Sequence, residues 1–508
     1  MRVGSKIFTW EHYIIISAVA LKLLLNQVIL FNSGYLSDEF LHIEAGNHLA
    51  FGYLDFPPMI GFLAFIQNLF HSDSIIVNRI FANVAGVIII VFSGKSVLVL
   101  GGKRLALILS LSCILFSPFF GLSQSLFLAV VFEQLFWVIC FYFIAKYCTS
   151  PKDKFLIYFA VVAALGFLTK YSILLLFAGL AISILLMKRE VLGRKAFWIG
   201  LMLFLILIMP NLWWQFNNRF PVFKHITELY ATQLNRAPIL SELKSLVVFK
   251  NPLFIILIIF ALFVIPFSKQ FRPYVLLSST MLISFLVLFI ARGKSYYYLP
   301  IILGAIPLAA VYLESLLWKR KWIIYIYLSV LMITAVYLLP HAVPLLKLER
   351  YISLYGMDKN HDENIPLQFD NYYFEELWYP ILRTVKDCYE SLTEEEKQKC
   401  LVWGRHYAHA GAINLFARRY NLPQAFSFHS SCYTWIPGFS RDAIVIAIAD
   451  KGWTKQHYLK YFDEVHEIKV IKNPYALNEN WSLHTIFLCR KLKYNSSELC
   501  QLFKDEIY

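Results

Sequence analysis

Between Gly34 and Pro58 the chain reads GYLSDEFLHIEAGNHLAFGYLDFPP, with Asp38, Glu39, Glu44 and Asp55. These are four acids in a part of the sequence otherwise poor in them, set between one long apolar run and a series of others. Acids beside a membrane span are costly unless they face water or serve a site. A solvated polar loop is the plain alternative, but this stretch is also rich in aromatics and Pro57-Pro58 stiffens its exit. A partly desolvated carboxylate such as Asp38 or Glu39 can take a proton from a hydroxyl as a general base. His42 follows Asp38 by one helical turn, so on a helix the two share a face. They can then hold each other through a hydrogen bond, the simpler reading, or hold a divalent metal.

Further along, charges interrupt apolar sequence at three places. Glu133 lies in VVFEQLFW, Lys170 in GFLTKYSILLL, and Arg292, Lys294 and Tyr297 in ARGKSYYYLP. An acid buried in a span is a functional candidate by default. A lysine between apolar runs either snorkels to the surface or pairs with an anion. Snorkelling explains each cation alone; it explains less well why they gather at one side of the membrane. Cations on the same side as an acidic loop suit a ligand that joins a phosphate to a hydroxyl-rich group. Asp38 and Glu39 are therefore the candidate catalytic residues. Asp55, Glu133, Lys170, Arg292, Lys294 and Tyr297 are the candidate binding residues. Lys22 lies within the first apolar run and can simply face a neighbouring helix.

The elements that must position these residues are membrane helices. Of the 508 residues 58% are hydrophobic, the mean hydropathy is +0.58, and runs of about twenty apolar residues recur, the mark of a polytopic α-helical membrane protein. Spans are expected near 12–31, 75–100, 105–122, 127–147, 155–169, 171–187, 196–213, 252–267, 274–291, 297–318 and 322–340, about eleven in all. The segment 57–70 is short for a crossing and reads as a helix packed at the interface. The first run, Tyr13–Phe31, lacks a small-residue cleavage site and reads as a retained span.

With Arg2 and Lys6 inside, alternate loops put Lys103-Arg104, Lys152 with Lys154, Lys188-Arg189 with Arg194-Lys195, Lys269 with Arg272, and Lys319-Arg320-Lys321 on the same side, as the positive-inside bias asks. The acidic loop, the Lys170 turn, the Arg292–Tyr298 turn and everything past residue 340 then lie outside. One outer loop departs from the bias: residues 214–251 hold Arg219, Lys224, Arg236, Lys244 and Lys250. Either these cations serve a phosphate or the loop is long enough to escape the rule. Residues 1–340 carry 27 Lys and Arg against 12 Asp and Glu, and residues 341–508 carry 20 against 21, so the net +14 belongs to the membrane part. A basic loop bias of this kind gives no argument for a nucleic-acid partner.

From about Leu345 apolar runs shorten and charges of both signs mix. LTEEEKQK reads as an exposed helix start capped by Thr393, and AIVIAIA (443–449) as a buried strand. The sequence thus divides into a membrane domain, 1–340, and an extracytoplasmic α/β domain, 341–508. Eight cysteines show no CxxC pair and no metal-ligand spacing, and five of them fall in the last third. No phosphate-binding Gly-rich loop, GxSxG elbow or HExxH is present, which argues against an ATP-driven pump, a soluble-nucleotide enzyme and a metalloprotease.

The stretch SDEF…GNHLAFGYLDFPPMIGFLA resembles the first outer loop of bacterial polyprenyl-phosphate-sugar glycosyltransferases. These are similar to the protein O-mannosyltransferases of glycosyltransferase family 39 and to the aminoarabinose transferases of lipid A. The likeness runs on through NRIFANVAG, FEQLFW, GFLTKYSILLLFAGL, PNLWWQ and GKSYYYLPIILGAIPLAA, and into GRHYAHAGAINLFARRYNLP and FHSSCYTWIPG. What it implies is a GT-C fold and an inverting transfer from a polyprenyl-phosphate sugar, without a protein nucleophile, to a glycan, lipid or protein hydroxyl at the outer face of the inner membrane. Asp38 matches the family's loop aspartate and would be the base. Lys170 and Lys294 match lysines that would steady the leaving phosphate. Relatives often carry an acid three residues before the Glu133 position; here Val130 stands there, so neither the donor preference nor a metal follows from the likeness. The reading from another class is a lipid-linked sugar flippase, which would place charges in mid-span and need no large outer domain.

Overall fold

The computed structural model describes residues 9–235, 253–357 and 364–507. The chain forms two compact units: Met1–Ile29 with Ile80–Leu345, and Leu30–Arg79 with Leu346–Tyr508.

The first unit is helical. Among the described residues seven helices of the chain are long and apolar enough to cross a membrane: Trp10–Asn32, Ile80–Val99, Ala129–Thr149, Lys195–Asn217, Lys269–Ile290, Ser295–Leu316 and Trp322–Ala342. The other four expected runs are helical but shorter or broken. The run 105–122 divides into Arg104–Leu115 and Pro118–Ser123, where Ser117 caps the second piece by accepting from the Phe120 amide at 3.4 Å and Pro118 takes the first helical position. Asp153–Phe167, Tyr171–Met187 and Ile256–Phe267 account for the rest. The expected span 75–100 starts later than its apolar sequence: Ile75–Asn78 is a separate turn of helix, and the long helix begins at Ile80. This is a polytopic helical membrane protein, in which helices satisfy their own backbone polar groups where no water can.

Small residues let these helices close on one another. A Cβ at Gly179 would lie 2.3 Å from the Ser284 Oγ and 2.6 Å from the Thr280 carbonyl. Ser284 in turn donates to the Leu175 carbonyl at 3.0 Å. Glu314 caps the helix Arg104–Leu115: its carboxylate accepts from the amides of Lys103 at 2.7 Å and of Leu105 and Ala106 at 3.1 Å.

The second unit is built on a five-stranded mixed sheet, with strands β1 Cys400–Gly404, β2 Ala425–Phe426, β3 Ile444–Asp450, β4 Phe462–Lys472 and β5 Leu483–Leu492. Their order is β2-β1-β3-β5-β4; β1 runs parallel to β2 and β3, and β5 runs antiparallel to β3 and β4. The expected strand AIVIAIA lies within Ala443 and β3, the buried centre of this sheet. Its core gathers Trp403, Phe428, Val445, Tyr458, Phe487 and Phe503. Thr393 and Glu396 form the expected cap, each side chain reaching the other's amide, at 3.3 Å and 3.1 Å. All eight cysteines are free thiols.

The acidic loop belongs to this second unit. It contributes the helices Ser37–Ala45 and Met59–Asn68. Phe40 is fully buried against Trp378, ring centroids 5.0 Å apart, and against Phe374 at 6.4 Å. Gly411 permits the approach of helix Tyr407–Tyr420, because a Cβ there would lie 2.7 Å from Phe40 Cβ.

Candidate functional site

Asp38 and Glu39 occupy the first turn of helix Ser37–Ala45 and face different partners. Glu39 accepts the Leu36 amide at 2.8 Å, which closes the helix start. Arg79 meets it with two parallel bonds, Nε to Oε1 at 2.8 Å and Nη2 to Oε2 at 2.6 Å, and both side chains are 0% exposed. Arg79 also donates to Ser33 Oγ at 2.8 Å and the Gly34 carbonyl at 2.7 Å. A buried ion pair survives when its geometry is bidentate and its remaining protons find acceptors, and this one meets both conditions.

Asp38 accepts a hydrogen bond from the Tyr407 hydroxyl at 2.5 Å, across 369 residues of sequence. Tyr407 opens the helix Tyr407–Tyr420 and its ring stacks on His429, centroids 5.1 Å apart and planes 3° off parallel. Burial, then the charge of Asp38, holds this phenol well above its ordinary value, and Asp55 and Asp370 add to the effect. It is therefore a donor at every working pH. Asp370 accepts from the Ser37 amide at 3.0 Å and from the Ser37 hydroxyl. Burial pushes its carboxyl up to about 7, against the Ser37 hydrogen bond and with the help of Asp38's charge. Asp55 gathers Ser430 Oγ at 2.5 Å, the Ser431 amide at 2.8 Å and Ser431 Oγ at 2.6 Å. Ser430 sits at φ +64°, a left-handed strain that these bonds help hold.

Four histidines stand beside this arrangement. His406, His409 and His484 surround Trp481 at 5.2, 5.5 and 5.5 Å, and His429 lies 4.6 Å from His406. Burial holds His406 and His409 well below their ordinary value and His429 and His484 down to about 4. His42, the expected partner of Asp38 or ligand of a metal, meets Phe56 edge-on at 5.0 Å. Among the described residues no three His, Cys, Asp or Glu side chains gather as metal ligands would.

In the membrane unit Glu133 is 2% exposed in the helix Ala129–Thr149. Lys170 Nζ donates to its Oε2 at 2.8 Å, and the Ser172 hydroxyl donates to Oε1. The Lys170 ammonium also lies over the rings of Tyr297 at 4.7 Å and Tyr296 at 5.1 Å, and Lys294 lies 5.9 Å from Tyr296. The structure thus brings Glu133, Lys170, Lys294 and Tyr297 together. Arg292, at φ +53°, donates instead to the Asn235 side chain at 3.3 Å. A lysine held between a carboxylate and two ring faces has a fixed direction. Of the basic loop 214–251, Arg219 is exposed at φ +61°; Arg236, Lys244 and Lys250 lie outside the described residues.

Residues 55–214 match the family described as dolichyl-phosphate-mannose-protein mannosyltransferase. That stretch, about a third of the chain, is similar to a mannosyltransferase-type domain. It contains Asp55, Glu133 and Lys170. No curated protein matches the chain. Among solved structures, ArnT from Cupriavidus metallidurans bound to undecaprenyl phosphate superposes with a TM-score of 0.59 at 14% identity, over 93% of this chain and 97% of that one. Its apo state gives 0.57 at 12% identity with the same coverage. The fold is ArnT-like along nearly the whole chain.

Sequence reading did not single out Tyr407, Asp370 or Arg79. GRHYAHAG held a tyrosine and two histidines, but nothing in it points back to Asp38. Arg79 stood inside an expected span, where its pairing with Glu39 was invisible.

Proposed function

We propose that the chain is an inverting glycosyltransferase, moving a sugar from a polyprenyl-phosphate donor to a hydroxyl of a lipopolysaccharide, surface glycan or protein at the outer face of the inner membrane. Asp38 takes the acceptor hydroxyl's proton, and the freed oxygen attacks the anomeric carbon. The bond from that carbon to the phosphate oxygen breaks, and polyprenyl phosphate departs with its electron pair. Lys170 and Lys294 stabilise the charge that grows on the phosphate, and Glu133 with Ser172 and Tyr297 directs Lys170. Tyr407 holds Asp38 by one oxygen and leaves the other for the acceptor. Glu39 is assigned to holding the helix start through Arg79.

The observation that carries this reading is Lys170 fixed by Glu133 at 2.8 Å, both within the family-matched stretch, beside the faces of Tyr296 and Tyr297. The test is the purified protein with a panel of polyprenyl-phosphate sugars and mass spectrometry of what gains mass. Asp38→Asn and Lys170→Met should each lose transfer by about 100-fold or more while the protein stays folded in the membrane. Near-normal transfer by either variant refutes its assigned role, and translocation of the donor without any product would favour the flippase.

A further inference from the structure

The unit of Leu30–Arg79 and Leu346–Tyr508 contains two polar cavities that the assigned chemistry does not use. One, about 660 Å³, is lined by Glu44, Asn47, Asn68, Asn414 and Arg418 among others. The other, about 600 Å³, presents Tyr35, Tyr372, Phe374 and Tyr379 with Glu375 and Glu376. Asp73 and Arg419 line both, and they pair at 3.4 Å. The two cavities therefore share one wall, a half-exposed ion pair. Each volume lies within the range of small-ligand sites, roughly 300–1,000 Å³.

The wall of the first cavity is built before any ligand arrives. Glu44 Oε1 accepts from Asn414 Nδ2 at 3.1 Å and meets His48 Nε2 at 3.3 Å, and its Oε2 accepts from Asn47 Nδ2 at 3.1 Å. Asn68 spends both amide protons, on the Ile43 carbonyl at 3.0 Å and on Asn47 Oδ1 at 2.8 Å. Its own carbonyl oxygen is left to accept. Asn414 is pinned to the edge strand β2 by bonds to both backbone groups of Ala425, at 3.1 and 2.8 Å. Fixed planar amides and a carboxylate offer donors and acceptors at set angles, which suits a ligand dense in hydroxyls. Aromatic faces in the second cavity suit the C–H faces of sugar rings. Arg418 is exposed and forms no ion pair among the described residues. A guanidinium of this kind matches a phosphate or carboxylate by two parallel bonds.

We infer that the two cavities form one cleft for an oligosaccharide carrying an anionic group, phosphate or carboxylate, seated at Arg418. Naming that glycan as the acceptor rests on the proposed function; the binding does not. Glu44 and Asp38 belong to the same helix, six residues and so about 9 Å apart along its axis.

The experiment is equilibrium binding to the full-length protein in nanodiscs. The probes are a deacylated phosphorylated core oligosaccharide, its phosphatase-treated form and neutral maltoheptaose. The phosphorylated probe should bind, and Arg418→Ala and Asn68→Ala should each weaken it about tenfold. Phosphatase treatment should cost the wild type the same factor and cost Arg418→Ala nothing further, because the partner of the phosphate is already gone. Arg418 is at the surface, so its variant folds, and unchanged thermal unfolding confirms this for both. No binding of any probe, or binding indifferent to Arg418 and Asn68, overturns the inference. Asp38→Asn separates the two readings: it should bind the probe normally and transfer nothing. Transfer by Asp38→Asn sinks the catalytic reading and leaves the cleft standing. Transfer by the wild type with no probe bound sinks the cleft alone.

Discussion

Replacing Glu39 by Gln tests whether this acid serves the fold or the reaction. Glu39 and Arg79 are both 0% exposed, joined at 2.8 and 2.6 Å, and Arg79 carries two more bonds to Ser33 and the Gly34 carbonyl. Removing one partner leaves a guanidinium buried without its counter-charge, a loss of about 3–5 kcal/mol. An exposed pair such as Lys451–Glu479 would lose roughly 0–1 kcal/mol. Against a total of about 5–15 kcal/mol, the larger figure is a third or more of the stability of this unit. Glu39→Met with Arg79→Met removes both charges, so the double variant should be less destabilised than the sum of the singles by about 2 kcal/mol. Thermal unfolding of the detergent-solubilised protein, followed by limited proteolysis within Leu30–Arg79, measures both effects. Transfer per folded molecule should stay near wild type in Glu39→Gln. A variant that unfolds like wild type but transfers nothing would refute the structural assignment and make Glu39 a chemical group.

Tyr407→Phe removes the donor on Asp38 Oδ1. Without that bond the carboxylate is free to turn away from the acceptor, so transfer should fall about 10- to 100-fold with thermal unfolding unchanged; near-normal transfer refutes the contact's role. Asp370 has a folded value raised from 3.8 to about 7, so the folded state holds a proton that the unfolded chain has released. Its stabilising contribution is complete below about 4 and is lost as pH rises through about 7. His429 and His484, lowered to about 4, act in the opposite sense, gaining stability as pH rises toward 6.5. Asp370→Asn should therefore gain on wild type by roughly 1–2 kcal/mol between pH 4 and 7, allowing for its partial exposure. A difference in unfolding midpoint that does not change with pH would contradict this.

The spans were legible because lipid demands long apolar runs and leaves little else to read. Where two runs abut, length alone misleads: Ile75-Ile76-Val77 look like the start of a span, yet they form a separate turn before Ile80. Likewise Phe116-Ser117 interrupt what reads as one run, and Pro118 marks the break. In the candidate site, Glu133 and Lys170 could be singled out because a charge in apolar sequence is conspicuous. Asp38 was visible for the same reason, but its partner was not. Tyr407 lies 369 residues away in mixed sequence, where one more tyrosine carries no signal. Asp370 owes its raised proton affinity to burial and to the charge of Asp38, neither of which is written in its neighbours. Chemistry set by side-chain type was readable; chemistry set by who meets whom was not.

Phe40, packed on Trp378 and Phe374 and seated against Gly411, has a practical consequence for anyone cutting this gene. A recombinant fragment starting near residue 346 would lack a wedge of its own interior and display bare aromatic rings, inviting precipitation. Splicing residues 30–79 onto that fragment through a short linker would restore the missing piece and yield a better soluble reagent.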